Sequence, residues 1–118
     1  MAYIDGFLVP VRAGVTREDY RAFAALGAGV LKEHGATRIV EAWEDDVPDG
    51  TVTDFRRSVQ IAEGERVVFS WIEWPDKATR DQGMAKVMED PRMQPGDTPF
   101  PFDGKRMIFG GFEAIVDE

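Results

Sequence analysis

The run ERVVFSWIEWPDKATRDQGMAKVMED, Glu65 to Asp90, constrains the fold more than any other part of this chain. Val67, Val68, Phe69, Trp71, Ile72 and Trp74 are β-branched or aromatic, the side-chain types that suit a pleated, buried surface. One alternating face carries Val67, Phe69, Trp71 and Glu73; the other carries Val68, Ser70, Ile72 and Trp74. Only Ser70 and Glu73 interrupt the apolar pattern, so the strand reads as central and covered on both sides. Pro75 has no N–H to donate and ends the ladder. Asp76 then stands where a helix N-cap belongs. Met84, Val87, Met88 and Pro91 follow at helical spacing, which gives the next helix one face for a sheet.

The rest of the chain repeats that theme. Tyr3 to Val11 is a first strand, with Gly6 marking a bulge or close approach and Pro10 preferring an edge or strand end. Thr16 reads as the N-cap of a helix with acids in its first turn. Tyr20, Phe23, Ala24, Gly27, Val30, Leu31 and His34 share its apolar face, and Gly35 is a natural stop. Ala36 to Glu44 is a second strand, with Ile39, Glu41 and Trp43 on one face and Arg38, Val40, Ala42 and Glu44 on the other. The turn DDVPDG ends it. Thr51 to Ile61 reads either as one helical turn capped by Thr53 or Asp54 or as an irregular connection. After the second long helix, Pro91 to Gly104 holds four prolines; such a loop is usually functional, or an arm gripping something. Lys105 to Val116 is the last strand, with Gly110-Gly111 marking a bulge or close packing.

Two strand–helix–strand halves on one antiparallel sheet give an α+β, ferredoxin-like βαββαβ arrangement as a single domain over 1–118. The first and third strands then lie in the middle, and both helices cover the same face. The opposite face is also apolar, and a second copy of the chain is its simplest cover.

Composition narrows the function classes. The 118 residues are 43% hydrophobic and 31% charged, as in an ordinary globule. There is no cysteine, which excludes disulfide and thiolate chemistry. The net charge of −8 disfavours nucleic acid and anionic membranes as partners, since both need a basic footprint. RMIFGGF, residues 106 to 112, resembles an aromatic RNA-binding motif but falls on the wrong strand for that role. The N-terminal residues lack the charged-then-apolar pattern of a leader and no long apolar run follows, so a cytoplasmic location is expected. No phosphate loop, dinucleotide fingerprint, nucleophile elbow or zinc motif is present, and no cofactor is expected.

His34-Gly35-Ala36 with Arg38 and Trp43, DDVPDG, TDFRRSV, VVFSWIEWPDKATRD, MEDPRM and PFDGKRMIFGGFE resemble the YbaA-like family of uncharacterised bacterial proteins. The similarity runs through nearly the whole chain and departs near Met93 to Pro101, where QPGDTPFP is extended. It implies membership of the dimeric α+β barrels, in which two ferredoxin-like sheets close on each other, and hence a homodimer. It implies no particular reaction and no catalytic residues.

Four residues stand out as candidates for a small-molecule site. His34, the only histidine, reads as a general base or single metal ligand, or as a helix-terminal group bonding free carbonyls. Trp43, Trp71 and Trp74 lie near Glu41, Glu44 and Glu73 in sequence, and a carboxylate beside indole is one way to raise a carboxyl pKa or orient a ligand. Trp71 and Glu73 share a strand face, and His34 could reach the same space from the first helix. The alternative for Glu73 is a wet strand end or an Arg or Lys pair. The acidic run Glu41, Glu44, Asp45, Asp46, Asp49 and Asp54 lacks calcium-loop spacing and reads as a solvated turn, with Arg56 and Arg57 to pair with it. The function classes left open are a small-molecule binder, a cofactor-independent enzyme on a small metabolite, and a purely structural dimer.

Overall fold

The computed structural model describes residues 2–118. Four strands, β1 (Tyr3–Val11), β2 (Arg38–Trp43), β3 (Arg66–Trp74) and β4 (Ile108–Glu113), form one sheet in the order β2-β3-β1-β4. Every neighbouring pair is antiparallel. The helices are α1 (Arg17–Glu33), α2 (Phe55–Ser58) and α3 (Lys77–Glu89), with a 3-10 turn at Pro91–Met93. Among the described residues no helix is long and apolar enough to cross a membrane.

Each helix starts where local chemistry says it should. Thr16 accepts from the Asp19 N–H at 3.0 Å while the Asp19 carboxylate accepts from the Thr16 N–H, a complete capping box. Asp54 caps α2 and Asp76 caps α3, each accepting from the amide three residues on at 2.7 Å. Gly35, at φ 112°, takes the left-handed position after α1 that a side chain would resist.

Asp5, Phe7, Val9 and Val11 of β1 share one face with Val68, Ser70, Ile72 and Trp74 of β3, because the register pairs Val9 with Val68 and Asp5 with Ile72. This face packs on Tyr20, Ala24, Val30 and Leu31 of α1 and Val87 of α3. Trp74, fully buried, donates its indole N–H to Asp5 at 2.9 Å, and Arg80 of α3 binds the same carboxylate at 2.8 Å. Asp5 is 3% exposed, so this pair anchors α3 to the sheet with its charge matched and its lone pairs used.

Several expectations are corrected. Gly6 and Gly110-Gly111 form no bulge: the ladders through them run without interruption, Gly6 opposite Gly110. Close packing explains Gly111, where a Cβ would meet the Tyr3 ring. Pro10 is tolerated in a central strand because β4 pairs with β1 only from Tyr3 to Leu8. The side from which its N–H is missing is met by the Asp103 amide, which donates to the Pro10 carbonyl at 3.0 Å. The last strand begins at Ile108, since Asp103 accepts from the Lys105 amide and from the Arg106 side chain and folds 103–106 into a turn. Met88 is 71% exposed; the buried face of α3 runs through Gly83 and Val87 instead. The outer face of β3 is covered only in part: Phe69 is 47% exposed.

Candidate functional site

The strongest constellation forms where two polar interruptions of apolar faces meet. Glu41 of β2 lies directly opposite Ser70 of β3. Both side chains point toward the helices, and the Ser70 hydroxyl donates to Glu41 Oε2 at 3.0 Å. From α1, Tyr20 donates its hydroxyl to Glu41 Oε1 at 2.8 Å. Crowding by protein pushes the Glu41 carboxyl above its ordinary range, and the two hydroxyl bonds offset only part of that. Burial, with the charge of Glu41 second, pushes the Tyr20 hydroxyl up strongly, so Tyr20 stays protonated and donates.

Glu41 stands at the junction of two hollows. On one side lies a cavity of about 340 Å³ between sheet and helices, walled by Phe7, Val9, Phe23, Ile72, Met84, Met93, Phe100, Phe102 and Met107. On the other lies a groove of about 310 Å³ between α1 and β2, with Ala24, Ala28, Ile39 and Trp43 along it and Arg17 and Arg21 at its edge. Glu41 and Tyr20 line both. Glu41 is exposed on the edge strand and so reachable by a small molecule. Its carboxyl lies close enough to Tyr20, Ser70 and the sheet to lose part of its hydration, the direction in which a carboxyl gains acid–base reach.

The proline-rich loop helps to build this wall. Phe100 and Phe102 stack on each other at 5.4 Å, and Phe23 meets both edge-on at 5.7 and 5.8 Å. Phe102 bridges to Val11, and the Arg12 amide donates to the Pro101 carbonyl at 2.9 Å. The loop thus lies against its own chain.

The four candidates from sequence separate into three places. Trp43 joins the groove, its ring 6.1 Å from that of Tyr20. Trp71 and Glu73 lie on the opposite, outer face, where the Trp71 indole donates to Glu73 at 2.9 Å and Arg38 stands 3.6 Å from the same carboxylate. Trp71 borders a third, open hollow of about 660 Å³ with Ile4, Leu8, Phe55, Phe69, Ile108 and Phe112. His34 caps α1 and faces Asp90 at 3.3 Å, where Arg92 holds the Asp90 carboxyl well below the carboxylate range. The His34 ring bonds a side chain rather than free carbonyls, which its backbone N–H meets instead, and the sheet separates it from Glu73. No group of three or more metal-ligating side chains converges among the described residues.

The acidic run is not one solvated turn. Glu44 accepts from the Val67 amide at 2.8 Å and pairs with Arg56, Asp54 caps α2, and Glu41, though exposed, accepts from Tyr20 and Ser70; Asp45, Asp46 and Asp49 are exposed. Arg57 pairs with Asp54 at 3.2 Å, so the two arginines do meet the acids. The central cluster was only half visible in sequence. Glu41 interrupts Ile39–Trp43 and Ser70 interrupts Val68–Ile72, which was the available signal, but only the register shows that the interruptions coincide.

A family model described as "Protein of unknown function (DUF1428)" matches residues 2–104. The chain is 57% identical over 118 residues to the "Uncharacterized protein YbaA" of Escherichia coli strain K12, covering all of both chains. The same figures hold for the protein of that name from Shigella flexneri.

Proposed function

The chain belongs to the DUF1428, YbaA-like family, and from its geometry we propose that it binds a small organic molecule in the cavity between sheet and helices, with Glu41 as the polar anchor. One observation carries this reading: a single acceptor carboxyl, held from both sides by Tyr20 and Ser70, beside a mostly apolar cavity of about 340 Å³. Ligand sites combine apolar walls with a few convergent polar groups in this way. The test is a thermal-shift screen of small apolar compounds against the parent and Glu41→Leu. Hits whose stabilisation disappears in the variant support the reading; hits unaffected by it, or a screen without hits, sink it.

A second reading, acid–base catalysis without a cofactor, is favoured by the raised Glu41 carboxyl. It requires Glu41→Gln to bind the same ligand and lose its turnover.

We further propose that the sheet is ferredoxin-like and that two copies close into a dimeric α+β barrel through their outer faces. The strand order supports this, as does the exposed apolar surface of Phe69, Ile108 and Phe112 beside the half-buried Trp71, Phe112 being 62% exposed. A stable pairing needs at least about 1,000 Å² of buried surface in total. Light scattering at micromolar concentration is expected to give twice the 13.2 kDa chain mass; a monomer refutes the barrel but not the cavity.

A further inference from the structure

The side chains around the cavity select a class of ligand. Four of them are polar: Tyr20, Glu41, Ser70 and Gln94; no lysine, arginine or histidine is among them. The Tyr20 and Ser70 hydroxyl hydrogens are already committed to Glu41. The Gln94 amide N–H₂ donates to the Met88 carbonyl at 2.6 Å. Apart from the second N–H of Gln94, what remains for a guest is acceptor capacity, chiefly on Glu41. A carboxylate offers about four lone-pair sites, and two protein hydroxyls take one each. The apolar wall combines aliphatic Val9, Leu31, Ile72 and Val87 with the stacked pair Phe100 and Phe102, Phe23 set edge-on to them, and several methionines, Met84, Met93 and Met107 among them. Such a wall fits a flat ring, through offset ring contacts and thioether–ring contacts.

Resting on the cavity reading above, we propose that the ligand is an uncharged aromatic molecule carrying an O–H or N–H donor, seated with its ring among the phenylalanines and methionines and its donor on Glu41. An anionic guest would meet Glu41 with no cation among the lining side chains to offset it. An ammonium would lose its hydration against an apolar wall for one partner that is itself reluctant to ionise.

The experiment uses four probes on one ring system: 2-naphthol, 2-methoxynaphthalene, 2-naphthoate and 2-(aminomethyl)naphthalene. Binding is followed at pH 7 through the ¹³C-labelled methyl groups of Met84, Met93 and Met107, which report this cavity and not the outer face. The expected order places 2-naphthol first, about tenfold tighter than its methyl ether, the scale of one hydrogen bond. In Glu41→Leu that ratio should fall toward one with the ether still bound. If the leucine variant does not fold, Glu41→Gln, a neutral acceptor of the same shape, should reduce the ratio severalfold. Equal affinity of naphthol and ether, or tightest binding by the naphthoate or the amine, overturns this inference and leaves the cavity reading standing; an unchanged ratio in the variant removes Glu41 as the anchor and overturns both. No methyl shift with any probe overturns both.

Discussion

Alanine is ordinarily the better helix former, by about 1 kcal/mol over glycine. At Gly83 the sign should reverse. Gly83 faces the C-terminal end of α1 and the Trp74 ring, and a Cβ built there would overlap the His34 carbonyl oxygen and lie 2.6 Å from Trp74 Cζ3. Carbon contacts settle at about 3.5–4.0 Å, so α3 must retreat by about 1 Å. Neither neighbour is a free end: one is backbone, and the other is a fully buried indole tied to Asp5 at 2.9 Å. Overpacking of this kind costs about 1–3 kcal/mol, occasionally more. A contact this close to backbone belongs at the upper end of that range, about 2–3 kcal/mol, so with the propensity gain subtracted Gly83→Ala should destabilise by about 1–2 kcal/mol, or lower the melting temperature by about 3–12 °C at this size. Gly29, in the interior of α1 with nothing within 4 Å of its Cβ position, supplies the control. Gly29→Ala should stabilise by about 0.5–1 kcal/mol. Both variants are compared by urea unfolding at one protomer concentration, because any association makes apparent stability depend on concentration. If Gly83→Ala matches or exceeds the parent, the close approach of α3 to α1 and Trp74 is wrong.

Three further outcomes are expected. Asp5→Ala strands the Trp74 N–H and the Arg80 guanidinium; Arg80 is one-quarter exposed and can turn partly to water, so the loss should sit near the lower end of about 3–5 kcal/mol, and a loss under about 1 kcal/mol by urea unfolding would show the network to be idle. Arg106 holds Glu65 down to about 2 from 4.5, so this pair's contribution is complete above pH 4.5 and is lost as pH falls toward 2; Glu65→Gln should flatten that acid limb, and an unchanged limb contradicts the pairing. Glu41 moves the other way: with its folded pKa raised above 4.5, the unfolded chain holds fewer protons in that window and stability falls as pH rises through it. Glu41→Gln should therefore gain on the parent between pH 4.5 and neutrality, and a gain independent of pH would remove Glu41 from the crowded setting described.

What could be read along the chain was the set of interactions that close within about four residues. Thr16 and Asp76 announce their helices because a cap and its amide are three residues apart. Val67 to Trp74 announces a central strand because alternation is a property of the strand itself. The candidate site was legible only in fragments. Trp71 and Trp74 look alike in sequence, yet their odd separation of three positions sends one to the outer face and the other onto Asp5. Glu41 and Ser70 are 29 residues apart and meet only because β2 and β3 adopt one register; a slip of one residue would put them on opposite faces. Gly83 reads as a weak point in a helix until His34 and Trp74 arrive against it from elsewhere in the chain. Register and helix docking are set by the summed burial of both partners, and no local segment carries that sum. Tertiary packing alone therefore decided that the acid at position 41, and not the one at position 73, stands on the helix side of the sheet beside the cavity.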